Sequence, residues 1–400
     1  MRVIYLDNSA TTPIPEEIKN DILKFSDCYF NPSSVHAGGI EARRLTEAAR
    51  NELFSAFDVP SIRRVDNALP LGSGAPDGWR FIFTSSGTEA DNLAISGVLG
   101  AKQFKNTPKI ITTDSEHPAV LSLLRHLQTQ NKIKLSLLST KGGAIDLSEL
   151  KNELTEDAVL VSIMTVNNET GARYDIESAF SLAKKTLPNV ITHTDAVQGF
   201  LKTPVSWKNA GCDLVTVSGH KIGAPKGIGG LLISNIILRS KRLSPIIFGG
   251  GQEGGLRSGT ENFLGITAFG KAAALGKREF NEFYSKMGSL RELFKSNLSP
   301  DVKVNQPEVY APHIISITLP GIKSETMLRF LSEKDIYISA GSACSSRNEH
   351  VSSALTSFGL TDKEASSTVR ISLGRQNTEE EVIAAAQAIN EGLNVLARKQ

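Results

Sequence analysis

Cysteine is nearly missing from this chain: three residues in 400, at positions 28, 212 and 344. Residues so few and so far apart build neither a disulfide framework nor a thiolate metal site, so a reducing compartment and no bound metal are expected. Long apolar runs are missing too. None approaches the ~20 residues that a membrane helix needs. The opening MRVIYLDNSATTP has no charged segment followed by an apolar one, so no signal peptide is expected. These absences read as a cytoplasmic protein with no membrane partner. Net charge is close to absent: 44 Lys and Arg against 42 Asp and Glu leave +2, with both signs mixed along the chain. That argues against a dedicated nucleic-acid or membrane-surface protein. Internal repeats are lacking, and the one low-complexity stretch is ALPLGSGAPDG, residues 68–78, which reads as an exposed loop.

What is present is a globular composition, 40% hydrophobic and 22% charged. From about residue 80 to 235 short apolar runs alternate with amphipathic segments. RFIFT, KIITT, IKLSLL, AVLVSIMTV, NVITHT, DLVTVS and GGLLIS read as strands. EADNLAISGVLGAKQF, PAVLSLLRHLQTQ and DLSELKNEL read as helices between them. This is the pattern of an α/β fold, a mostly parallel sheet with helices on both faces. After residue 262 comes one long helix or two joined ones, then strands HIISITL and STVRISL and a helix opening at Thr378 with Glu381 as its capping partner. We therefore expect a large domain over 15–261 and a smaller α+β domain built from 1–14 and 262–400.

In open α/β sheets ligands sit beyond the carboxyl ends of the strands. The residues there are Ser85, Ser86, Gly87 and Thr88; Asp114, Glu116 and His117; Asn167, Asn168 and Glu169; Asp195 and Gln198; Ser218, His220 and Lys221. Each has an ordinary explanation alone. Ser86 and Glu89 are a capping box, Asp195 suits a turn, His117 precedes a helix-starting proline, and most lysines are solvated. Their concurrence on one sheet edge is what points to a site. A helix N-terminus with a hydroxyl suits a phosphate. A carboxylate, a flat imidazole and a lysine complete the needs of pyridoxal phosphate. The lysine forms a Schiff base with its aldehyde, and the carboxylate keeps the pyridine nitrogen protonated.

The ordered motifs YLDNSATTP, NPSSVH, SSGTEADN, SEHPAV, VNNETG, TDAVQ, SGHKIGAPKGIG, GGGQEGGLRSGTEN, GSACSS and VRISLGR cover nearly the whole chain. Together they resemble the class V aminotransferase superfamily, and within it the cysteine desulfurases of the NifS/IscS type. The resemblance implies a fold-type I enzyme in which Lys221 carries the cofactor, His117 stacks on its ring and Asp195 pairs with the ring nitrogen. It places Gln198 on the ring hydroxyl, Asn168 beside cofactor and substrate, and Gly87, Thr88, Ser218 and His220 on the phosphate. Thr260 would reach the phosphate of a neighbouring subunit, which implies a homodimer, and Arg375 would hold the substrate carboxylate.

The same resemblance makes Cys344, in AGSACSSRNEH, the group that takes sulfur from L-cysteine, leaving L-alanine and a persulfide for an acceptor or scaffold protein in iron–sulfur cluster or thio-nucleotide synthesis. Arg347 and His350 are near enough in sequence to favour its thiolate. A selenocysteine lyase or another aminotransferase-type enzyme is the alternative, and a sulfur-relay scaffold that keeps its cofactor only for stability is a third. Cys28 and Cys212 have no comparable setting, and Cys212 reads as a core residue. The chain departs from the family pattern at Gly254, where an arginine is usual, at Val351, where a proline is usual nearby, and in SIRRVDNALPLGSGAPDGW, residues 61–79, which reads as a surface insertion.

Overall fold

Seven short strands make one sheet, and their sequences explain why both of its faces are dry. A computed structural model of the protein describes residues 3–59, 78–341 and 352–397. Most of the 61–79 insertion, and the loop with Cys344, Arg347, His350 and Val351, lie outside the described residues. The sheet runs Trp79–Thr84, Gly229–Ser234, Leu214–Ser218, Ile191–Asp195, Ala158–Ser162, Lys109–Thr113, Lys134–Leu138. Gly229–Ser234 pairs antiparallel with both of its neighbours, and the remaining pairs are parallel. Successive residues of a strand point to opposite faces. Thus Phe81, Phe83, Val161, Val215, Val217 and Leu232 enter one core, and Ile82, Leu160, Leu214, Leu231 and Ile233 enter the other. Both faces of the central strands are covered, so successive residues there are buried rather than alternating buried and exposed, and only the edge strand Lys134–Leu138 is largely open.

The first core is aromatic. Phe57 stacks on Phe200 at 4.3 Å between ring centroids, and Trp207 meets Phe57 edge-on at 5.6 Å. The run AVLVSIMTV is shorter as a strand than its sequence suggests, ending at Ser162. Its backbone still follows its neighbour, with Ile163 N–H donating to His193 O and Thr165 N–H donating to Asp195 O. This carries residues 163–165 to the edge where the polar groups gather. Cys212 is buried in this core.

The segment after 262 forms two helices, Phe263–Arg278 and Phe280–Ser296. The first does not belong with the second: Ile266, Phe269, Ala272 and Ala273 join the core of the large sheet, whereas Phe283, Met287, Leu290 and Phe294 enter a separate core. The change of core therefore falls between these helices, at Glu279. The second core lies under an antiparallel sheet, Thr368–Ser372, Ile314–Thr318 and Lys303–Val304, closed by helices Ser324–Ser332 and Glu379–Ala397. Glu381 N–H donates to Thr378 Oγ1 and Thr378 N–H donates to Glu381, the two reciprocal bonds expected of a capping box. The N-terminal strand Ile4–Tyr5 pairs with Ile336–Tyr337. Asp7 then bridges to Ser372, and residues 9–12 cross to the large sheet.

Candidate active site

A phosphate-sized opening is set by two glycines. A Cβ on Gly87 would lie 2.9 Å from Val197 and 3.3 Å from Ser218, and one on Gly229 would lie 2.4 Å from the Ser86 carbonyl carbon. Without side chains there, the turn 86–88 and the end of strand Leu214–Ser218 come together. Ser86 caps the helix Gly87–Gly100 by accepting from Glu89 N–H. Glu89 reaches back to Ser85, one residue short of the capping-box partner expected, because Arg257 holds its carboxylate from the far side. Burial pulls the Glu89 carboxyl up, but the bonds from Arg257 and Ser85 outweigh it, so its pKa falls below the usual value. The helix thus opens toward the cavity with free N–H groups.

Those groups line a cavity of about 240 Å³ together with Thr88, His117, Asn168, Asp195, Gln198, Ser218, His220 and Lys221. All of the strand-end residues expected on the cofactor are therefore brought to one place. Lys221 Nζ donates to the carbonyls of Ser9 (2.6 Å) and Ala10 (2.8 Å). Thr12 Oγ1 donates to Lys221 O, and His220 Nδ1 lies 3.2 Å from Thr11 Oγ1. The N-terminal segment is thus the cradle of the lysine.

His117 caps the helix Pro118–Thr129. Its Nδ1 accepts from Ala119 N–H at 3.1 Å, so the neutral ring carries its proton on Nε2. Burial, and then the charge of Lys221, push its pKa down to about 4, so the ring is uncharged at neutral pH. Asp195 ends the strand Ile191–Asp195 and accepts from Val197 N–H at 2.8 Å. Burial raises it to about 6, against the opposing effects of that bond and of Lys221. A buried carboxylate of this kind is stabilised by a cation placed beside it.

Four contributors escaped the strand-end reading. Ser9 and Ala10 come from the N-terminal segment. Asp91 lies on the cavity wall, fully buried, and its Oδ1 makes no hydrogen bond among the described residues, with His193 Nε2 3.6 Å away. Burial and the neighbouring Asp195 raise its pKa well above the ordinary value. Arg370 comes from the antiparallel sheet of the smaller core. It is buried, donates to Asp7 Oδ1 at 2.7 Å and to Asn168 O at 2.8 Å, and lines the cavity. Its Nε has no partner among the described residues. The signal for Arg370 was a charge inside the apolar run TVRISL, which a strand buries only with a reason.

Two expected residues are not in this cavity. Arg375 lies beyond the end of the same strand, after Gly374. It pairs with Glu279 at 3.1 Å and lines a neighbouring hollow instead. The strand stops at Ser372, so Arg370 faces the site and Arg375, three residues past the strand, turns away. Thr260 is exposed and touches none of the cavity.

Glu116 stands behind the site, accepting from Met164 N–H and Thr113 Oγ1, both at 2.8 Å. Burial raises its pKa to about 8. The folded protein thus keeps a proton there that the unfolded chain loses above its ordinary value of 4.5. Stability should fall as pH rises between these values, by up to about 1.4 kcal/mol per unit. Glu116→Gln should flatten that slope in chemical denaturation at several pH values. An unchanged slope would contradict the assignment.

The residues present fit pyridoxal phosphate. Donors for an anion gather at one end, Asp195 supplies a carboxylate, His117 a flat neutral ring and Lys221 an amine. Ser9 lines the cavity, and its buried Oγ makes no hydrogen bond among the described residues, which leaves a polar group there for a ligand.

Comparison with known proteins agrees with this geometry. Residues 72–384 match the family described as Aminotransferase class-V. A protein named cysteine desulfurase from Trichormus azollae is 38% identical over 388 residues, covering 96% of this chain and 90% of the relative. A solved NifS-like protein superposes with a TM-score of 0.87 at 31% identity, covering 98% of this chain and all of that one. A structure titled SspA in complex with cysteine matches 92% of this chain and 98% of its own, with a TM-score of 0.76 and 28% identity. Fold, cavity and relatives converge: the chain belongs to the class-V aminotransferase family of pyridoxal-phosphate enzymes, in its cysteine desulfurase branch.

Proposed function

We propose that the enzyme converts L-cysteine to L-alanine and passes the sulfur, through a persulfide on Cys344, to an acceptor protein. The observation that carries this reading is the placement of Lys221, Asp195 and Arg370 around one cavity. When bound, pyridoxal phosphate supplies an electron sink joined to the substrate's α-carbon. The chain's residues do the rest. Asp195, as a carboxylate, holds the proton on the ring nitrogen. Lys221 would hold the aldehyde carbon and serve as the base for the α-carbon proton. His117 would supply a flat neutral ring beside the cofactor, and its Nε2–H is not used in the Ala119 contact. Gly87, Thr88, Ser218 and His220 hold the phosphate. Sulfur transfer needs a thiolate on Cys344. It attacks the substrate sulfur, the S–S bond forms and the Cβ–S bond breaks. That electron pair stays on the carbon skeleton, which takes up a proton and leaves as alanine.

Arg370 takes the place that Arg375 was expected to fill, holding the substrate carboxylate through its unpaired Nε–H edge. Arg370→Lys should raise KM for L-cysteine about tenfold or more, the size of one lost charge-assisted hydrogen bond. Arg375→Lys, altering a partly exposed ion pair, should stay within about twofold. Steady-state kinetics of the two variants decide between them, and the reverse ranking would restore Arg375.

The active form is a homodimer, with Thr260 of each subunit meeting the partner's phosphate. This is supported by the exposure of Thr260 and of Tyr29, Val35 and Phe248, large apolar side chains more than 80% exposed. Iron–sulfur cluster assembly or thio-nucleotide synthesis is the destination of the sulfur. Alanine yields from cysteine and from selenocysteine separate the desulfurase from a selenocysteine lyase. Among the described residues no helix is long and apolar enough to cross a membrane.

A further inference from the structure

Behind the cavity sits an amine that none of the roles above uses. Lys202 is only 6% exposed, and among the described residues no carboxylate pairs with it. Its Nζ donates to Gln198 Oε1 at 3.3 Å, reaching it from a second hollow of about 280 Å³ that Leu201, Ile222 and Phe283 also line. Gln198 Nε2 in turn donates to Ser9 O at 2.9 Å, the carbonyl that also receives Lys221. Both contacts fix the same orientation of the amide. Its oxygen is occupied by a donor and one of its N–H groups by an acceptor. A primary amide has two N–H groups, and the second has no other partner among the described residues on a side chain that lines the cofactor cavity.

We infer that Lys202 is a positioning residue for the cofactor's ring oxygen: by holding the Gln198 carbonyl it leaves that side chain able only to donate into the cavity, so the ring oxygen is bound as its anion. This rests on the reading of the cavity as a pyridoxal phosphate site. A freely turning glutamine would present its oxygen as readily as its nitrogen and would tolerate the protonated ring oxygen. The charged groups facing Lys202 are Lys221, Arg370 and Arg375, with the buried His313 beside it, and none of them is an acceptor for the ammonium. Burial and these cations lower Lys202 to about 7. An uncharged amine still has two N–H groups, so its hold on Gln198 survives loss of the proton.

The test is the pH at which the visible absorbance of the lysine-linked cofactor changes in the holoenzyme. Losing a donor to the anion should move that transition upward. Gln198→Leu should shift it by about one unit, the size of one hydrogen bond, and Lys202→Met should shift it the same way by less, because Ser9 O still holds the amide. Lys202→Arg, which keeps a donor, should leave it near the native value. In a Gln198→Leu background, Lys202→Met should add nothing. An unmoved transition in Lys202→Met, or a full additional shift in the double variant, would overturn the inference. Should the methionine variant not fold, the native protein answers. With 15N-labelled glutamine, the side-chain amide resonances of Gln198, identified by their loss in Gln198→Leu, must shift on loading the apoprotein with pyridoxal phosphate. An unchanged pair refutes the donor role. If native protein shows no lysine-linked absorbance at all, it is the cofactor reading that fails, and the two failures are distinct.

Discussion

Lys221→Ala abolishes the visible absorbance of protein-linked cofactor and lowers turnover by about 10⁴-fold, the upper range for removing a placed proton-transfer group. The reason is geometric. Lys221 is the amine that lines the cavity, and its position is fixed twice over, by the turn after strand Leu214–Ser218 and by the carbonyls of Ser9 and Ala10. Its neighbour Lys202 is committed to Gln198 in a different hollow and cannot replace it without leaving that contact. Spectra after dialysis against free cofactor, with alanine release measured in parallel, check this. Retained absorbance would mean that another amine holds the aldehyde.

Asp195→Asn should bind pyridoxal phosphate yet turn over about 10²–10³-fold more slowly, the usual loss when one preorganised electrostatic partner is removed from a buried site. The carboxylate lies at the end of a buried strand, with one oxygen bound by Val197 N–H. Burial makes its charge costly, and a protonated ring nitrogen relieves that cost. An amide of the same shape keeps the packing and loses the charge. In wild-type apoprotein, Asp195 takes up a proton as pH falls through about 6, so cofactor affinity should drop there by more than it does in Asp195→Asn. Titrating affinity against pH for the two proteins supplies the comparison, and parallel curves would remove Asp195 from the role.

The residues that the sequence revealed are those at the carboxyl end of a strand or in the turn that leaves it. Ser86, His117, Asp195 and Lys221 all obey one local rule, that polar residues at or just past the carboxyl end of a strand share an edge. Arg370 and the Ser9–Ala10 carbonyls follow no such rule. They arrive from the second core and from a crossing segment, and only the pairing of Ile314–Thr318 with Thr368–Ser372 fixes where Arg370 points. Two arginines five positions apart in VRISLGR are alike as text. Strand alternation and the stop at Ser372 separate them. The change of core after residue 262 was hidden for a similar reason. Phe263–Arg278 and Phe280–Ser296 read as one long helix or two joined ones, and the sequence does not show that their apolar faces enter different cores.

The most direct test of the account is the fate of the sulfur atom. Holoenzyme given L-cysteine without an acceptor is digested, and the peptide bearing Cys344 is weighed while free alanine is counted. The account predicts that this peptide gains the mass of one sulfur atom, removable by a thiol reductant, with alanine formed in equal amount, and that Cys344→Ala still loads cofactor but releases neither sulfide nor alanine above background. Alanine production at the native rate by Cys344→Ala, or added sulfur found on Cys28 or Cys212 with none on Cys344, would contradict it.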